Sequence, residues 1–240
     1  IGPLAALLLL TIGADLRLVF VVAFVPGVFS ALFASRATEV APTAPPRARP
    51  SLWAGDRRFL LFLGVVAVFS IGNSSDVFLL LRAADVGLSE RSVVLAYVMY
   101  NVLYMLAALP LGSLSDRLGR APVLVGGLLV FASVYAGFAF VDEARWVWPL
   151  FAVYGIYIAA TDGVTKALIV DIVPQEHRGA AIGAHGAVTA GAILIASLIA
   201  GILWDTVSTG APFVLGAACA VTAAALLPMA LRGATHDAIA

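Results

Sequence analysis

The residues of this chain able to do chemistry are few, and each lies inside or beside a long apolar run. Asp162 and Lys166 stand four apart, so on a helix they share a face and can reach one another. The pair can simply neutralise itself, or Lys166 can extend its ammonium toward a polar boundary. Alternatively, Asp162 can carry a proton or a substrate cation and exchange partners during a functional cycle. Tyr154, Thr161 and Thr165 follow the same helical period and predict a polar stripe beside the pair. Asp76 closes the run Gly72-Asn73-Ser74-Ser75-Asp76, which is poor helix-interior sequence and predicts a break. There, Ser75 or Asp76 can cap a resumed half-helix, or Asp76 with Asn73 can form a binding or protonation site. Tyr97, Tyr100, Asn101 and Tyr104 fall on one broad helix face, able to line a path or to hydrogen-bond between helices. Asp76 is the first candidate proton carrier because no basic residue stands at helical spacing from it before Arg82. Asp162, with a cation four residues away, is the second.

These groups sit in a chain that is 62% hydrophobic and 12% charged, with a mean hydropathy of +1.04. Soluble domains hold about 45–50% apolar and about 25% charged residues, so the composition is that of a polytopic membrane protein. A charge at membrane depth costs about 2.5–3.5 kcal/mol, which is why each buried carboxylate needs a reason. A broken helix at that depth must face protein or a water-filled cavity. Net charge is zero, leaving no electrostatic footprint for nucleic acid. Cys219 is the sole cysteine and the three histidines are scattered, so neither a disulfide framework nor a metal site is expected. There is no nucleophile–base pair and no phosphate-binding loop, and neither an enzyme nor a cofactor is expected.

Apolar segments of spanning length are predicted at 16–35, 59–81, 93–114, 121–141, 146–169, 180–204 and 211–231. The opening stretch, 1–12, has about half the length a span needs and reads as the tail of a helix that starts before Ile1. It shows neither a signal peptide nor an ordinary start. Between the segments 16–35 and 59–81, the stretch 36–58 is rich in proline and arginine and is predicted to be a linker. Sorting alternate loops by charge puts Arg36, Arg47, Arg49, Arg57, Arg58, Arg117, Arg120, Arg178 and Arg232 on one side. Only Arg17, Arg82, Arg91 and Arg145 fall on the other. The positive-inside rule makes the first side cytoplasmic, with Trp146, Trp148 and Trp204 at the outer interface. In the next-to-last span, Gly179, Gly183 and Gly186 predict close helix packing, with His185 packed between them.

One short connection stands apart. Residues 112–120 read Gly-Ser-Leu-Ser-Asp-Arg-Leu-Gly-Arg between two spans. Gly112 and Gly119 would let two helix ends approach closely and turn sharply. Asp116 could accept hydrogen bonds at the start of the next helix or pair with a cation, and Arg117 and Arg120 add positive charge. This string resembles the signature loop of the major facilitator superfamily of secondary transporters at every defining position. Asp171-Ile-Val-Pro-Gln-Glu-His-Arg-Gly179 resembles that family's loop between its tenth and eleventh helices. Gly2-Pro3 is similar to the fifth-helix motif of its proton antiporters, but Ala6 and Leu7 replace the paired glycines, so antiport does not follow.

The resemblance covers essentially the full chain and implies an all-α membrane protein of twelve-helix ancestry. It implies that 1–35 holds a partial fifth and a sixth helix, and that 36–58 is a cytoplasmic linker. It further implies that 59–232 is a six-helix C-terminal bundle of two inverted three-helix repeats, and that 233–240 is a cytoplasmic tail. The implied function is secondary active transport of a small solute by alternating access, with a proton as candidate coupling ion. The implied partners are the solute, protons, the bilayer of the cell membrane and an N-terminal bundle of the same protein. In the family, the signature aspartate pairs with basic residues at neighbouring helix ends and releases them as the halves rock. Here that role would fall to Asp116, with Arg117 and Arg120 beside it. The alternative is a transporter-like sensor that binds a ligand without flux.

Overall fold

The computed structural model describes Leu8, residues 16–36 and residues 57–232. All regular structure among these residues is helical. Two units are distinct. The first contributes α1 (Leu16–Arg36), an apolar helix with Pro26 inside it. The opening stretch, the linker from 37 to 56 and the tail from 233 lie outside the described residues.

The second unit is a helical bundle. Its elements are α2 (Arg57–Gly72), α3 (Val77–Asp85), α4 (Glu90–Leu118), α5 (Arg120–Phe140), α6 (Ala144–Ile172), α7 (Arg178–Thr206) and α8 (Ala211–Arg232). A 3₁₀ turn, Gln175–His177, precedes α7. Taking α2 with α3, and the turn with α7, six segments are long and apolar enough to cross a membrane. Several outrun the apolar segments because polar end residues continue the helix. Ser89 caps α4 by accepting from the Ser92 N–H at 3.3 Å, four residues before the first expected spanning residue. At the other end of α4, residues 112–118 are still helical. The expected loop is therefore a single residue, Gly119, whose φ of +94° suits glycine alone. α6 stops where Val173, extended at ψ 132°, precedes Pro174.

The antiparallel order puts the starts of α2, α5 and α7 at one end, which we call the signature end. Helix α4 packs on α6, α5 on α6 and α8, and α2 on α8 and α7. Buried apolar side chains form two clusters. One, around Phe59, Phe62, Leu124, Leu168 and Leu227, lies toward the signature end. The other, around Phe131, Tyr135, Phe138, Phe151 and Phe213, lies toward the opposite end. Trp148 and Trp204 pack against this second cluster, while Trp146 at the same end is exposed.

Arg82 holds the opposite end together. Its Nε donates to the Phe138 carbonyl at 3.1 Å and its Nη2 to the Val141 carbonyl at 2.8 Å. Its Nη1 reaches the Thr209 hydroxyl at 2.7 Å and the Asp85 carboxylate. A guanidinium that is 8% exposed thus satisfies carbonyls at the C-terminus of α5 and ties α3 to the loop before α8. In sequence this residue was only a loop charge.

Backbone contact sets the crossing of α4 and α6. A side chain at Gly155 would collide with the Tyr100 carbonyl, the Tyr104 N–H and Leu103. Gly126, on the exposed side of α5, meets nothing. Gly155→Val should therefore destabilise the protein by about 1–3 kcal/mol, while Gly126→Ala should leave stability unchanged or slightly raised. Thermal unfolding of the two variants in detergent checks this, and equal midpoints would contradict the crossing.

Candidate functional site

The break in the first span shapes the site. α2 finishes with the Asn73 N–H bonded to the Phe69 and Ser70 carbonyls at 3.1 and 3.3 Å. Gly72 is pressed against Gly216 and Cys219 of α8, where a side chain would not fit. The Ser75 N–H, freed by the break, is taken by the Ser197 hydroxyl of α7 at 3.2 Å. α3 then resumes, its Val77 N–H bonded to the Ser75 hydroxyl at 3.4 Å. Asp76 occupies the N-cap position but makes no side-chain cap bond. Of the two capping residues the sequence offered, Ser75 is the one that caps.

Asp76 instead turns its carboxylate toward α4 and α6. The Tyr154 hydroxyl donates to one oxygen at 2.7 Å and the Tyr100 hydroxyl to the other at 3.1 Å. Two hydrogen bonds from two different helices hold the side chain in place. The two phenols arrive together because α4 and α6 touch at Gly155, and their rings meet edge to face with centroids 5.4 Å apart. Tyr97 packs on Tyr100 in the same way at 5.0 Å. Asn101 is not brought to the carboxylate. Its amide donates to the Tyr97 carbonyl of its own helix at 2.8 Å, the usual fate of a short amide inside a helix.

One turn further along α4, Tyr104 repeats the pattern. Its hydroxyl donates to Asp162 at 3.2 Å, and Asp162 also accepts from Lys166 at 2.8 Å. The three tyrosines and two carboxylates, which read as separate features in sequence, thus form two rungs between α4 and α6. The rungs differ in charge. Asp162 faces an ammonium, whereas among the described residues Asp76 bonds only to neutral phenols.

Both carboxylates line a cavity of about 300 Å³, together with Asn73, Tyr154, Thr161, Thr165 and residues of α2, α5, α7 and α8. Sequence reasoning passed over Tyr157, Thr189 and the aromatic wall of Phe62 and Phe69, all of which line it. Tyr157 could have been found, since it lies three after Tyr154 and four before Thr161 on the face already singled out. Thr189 stands four after His185, and both face the cavity; His185 also stacks on Phe62 with centroids 6.5 Å apart. Asn73 Oδ1 and Thr189 Oγ1 are buried without a hydrogen-bond partner among the described residues.

At the signature end, Arg120 is the centre of a second cluster. It donates to Asp116, to Ser115 Oγ at 2.7 Å and to Asp171 at the end of α6 at 3.1 Å. Asp116 therefore pairs with a cation rather than capping α5. Arg117 points away, exposed and without an ion-pair partner among the described residues. Gly112 does not bring helix ends together within this unit, because a side chain there would meet nothing. It borders a hollow of about 360 Å³ shared with Tyr104, Ser115, Asp116, Arg120 and Gly163. Among the described residues the expected packing at Gly179, Gly183 and Gly186 is likewise not made: each has open space where a side chain would project. Small residues here leave room rather than close a crossing.

Comparison with known proteins agrees with this architecture. The pattern of the Major Facilitator Superfamily matches residues 60–238. An uncharacterized MFS-type transporter of Methanocaldococcus jannaschii is 35% identical over 173 residues, covering 70% of this chain and 43% of the relative. A class C tetracycline resistance protein of Escherichia coli is 38% identical over 132 residues, 54% of this chain and 32% of the relative. An inner membrane transport protein of the same species is 30% identical over 143 residues, 58% of this chain and 30% of the relative. The chain spans less than half the length of these relatives.

Proposed function

Because this chain belongs to the major facilitator superfamily, we propose that it supplies the C-terminal half of a secondary active transporter working by alternating access. The cargo is a small solute, a proton is the coupling ion, and a second bundle of the same protein closes the cavity. The observation that carries this reading is the cavity at the broken helix, where a carboxylate sits among phenols with no cation bonded to it. A fold that places a helix break and a half-buried carboxylate together at membrane depth has a use for that group.

Asp76 is the coupling site in this proposal. Its partners are uncharged, so gaining or losing a proton changes the net charge of its surroundings. Asp162 is already paired with the Lys166 ammonium, which leaves that residue second. The Arg120 cluster is the gate. It joins the end of α4, the start of α5 and the end of α6, so opening it frees three helix ends at once. The excess of arginine at this end supports a cytoplasmic position for it in the cell membrane.

Two outcomes follow for the full-length protein. Asp116→Asn should reduce transport while leaving membrane insertion intact, because losing one arm of the Arg120 cluster shifts the equilibrium between the two conformations. Uptake into proteoliposomes measures it, and wild-type rates would remove the gate. Asp76→Asn should abolish accumulation driven by a pH gradient, while solute exchange between the two sides continues at saturating solute. Accumulation that persists in this variant moves the coupling site elsewhere, with Asp162→Asn the next variant to measure. A ligand that binds but is never moved would make the protein a sensor.

A further inference from the structure

We infer that the cavity takes an organic cation: a protonated amine on an aromatic or aliphatic body, with its ammonium beside Asp76. The inference rests on the transporter reading for the role of the cavity, but its chemistry comes from the lining alone. The wall contributed by this chain is apolar and aromatic on one side, where Phe62, Phe69 and Tyr157 stand. No lysine or arginine lines it, and two carboxylates do. Asp162 is neutralised by Lys166 at 2.8 Å, so the one charge left open is that of Asp76.

Three classes of solute meet this lining differently. An anion enters a chamber that holds two carboxylates and, among the described residues, no lysine or arginine and one imidazole, that of His185, and is repelled. A neutral solute is accepted by the apolar wall but leaves the charge of Asp76 as it found it. A cation balances that charge, and the faces of Tyr154, Tyr157 and the two phenylalanines favour it further. The orphaned acceptors complete the specification. Asn73 Oδ1 can only accept, and with Thr189 Oγ1 it lies buried and unbonded in the same wall. Asn73 Oδ1 calls for a donor and the Thr189 hydroxyl can accept from one, which a protonated amine supplies and a quaternary one lacks. A volume of about 300 Å³ admits a solute with one or two rings.

Three probes that share one skeleton test this on the purified full-length protein: 4-phenylbenzylammonium, 4-phenylbenzyl alcohol and biphenyl-4-carboxylate. Binding is followed by titration calorimetry at one pH and one salt concentration. The ammonium should bind at least about tenfold more tightly than the alcohol, and the carboxylate most weakly. Asp76→Asn should reduce the ammonium's advantage over the alcohol to less than about twofold, and Asp76→Glu, which keeps the charge, should retain it. The Glu variant guards against a folding defect being read as a loss of recognition. Equal binding of ammonium and alcohol, tighter binding of the carboxylate, an advantage that survives Asp76→Asn, or no binding of any probe would overturn the proposal. Flux is measured separately in proteoliposomes. Charge-selective binding without flux leaves the cation site standing and removes the transporter. Flux of an uncharged or anionic solute without charge-selective binding does the reverse.

Discussion

A carboxylate in a low-dielectric interior must be solvated by something, and at Asp76 that solvent is two phenolic hydroxyls on two different helices. Much of the bundle can be traced to meeting that demand. The first span has to break so that Asp76 can leave the helix surface, and the freed backbone has to be satisfied by Ser197 and Ser75. Helices α4 and α6 must touch, so position 155 has no side chain. Gly72 must meet Gly216 so that α8 can back the broken end.

The two ends of the bundle use arginine in contrasting ways. Arg82 is buried and bonded mainly to backbone carbonyls and a threonine, partners that cannot be exchanged without unwinding a helix end. Arg120 is bonded to the carboxylates of Asp116 and Asp171, both more than half exposed, which water can replace at small cost. The first arrangement suits a fixed joint and the second a releasable one. Between them lie the two tyrosine–carboxylate rungs, so the charged and polar groups of the bundle run from a rigid end, through the cavity, to a labile end.

Most of the architecture was legible in the sequence because hydrophobic length alone dictates it. The helix break was legible too, since Gly72-Asn73-Ser74-Ser75 has no competing reading as a stable helix. What could not be read was pairing between helices. Tyr100 and Asp76 are 24 residues apart, Tyr154 and Asp76 are 78 apart, and no local period relates them. For the same reason Arg82 read as one more loop charge, although its partners lie up to 127 residues away. The signature string misled in a different way. Its glycines and charges look like loop residues, but helix α4 runs through 112–118 and α5 begins at Arg120, with Ser115 and Asp116 bonded to groups on and just beyond their own helix. Glycine spacing in α7 likewise predicted contact, where the bundle leaves open space instead.

The central claim is that Asp76 is the group in this bundle that gains and loses a proton. Infrared difference spectroscopy of the full-length protein in bilayers, between acid and alkaline pH, observes this directly through the C=O stretch of a protonated carboxyl. The account predicts a band in that region that vanishes in Asp76→Asn and persists in Asp162→Asn. A difference spectrum unchanged by Asp76→Asn would contradict it.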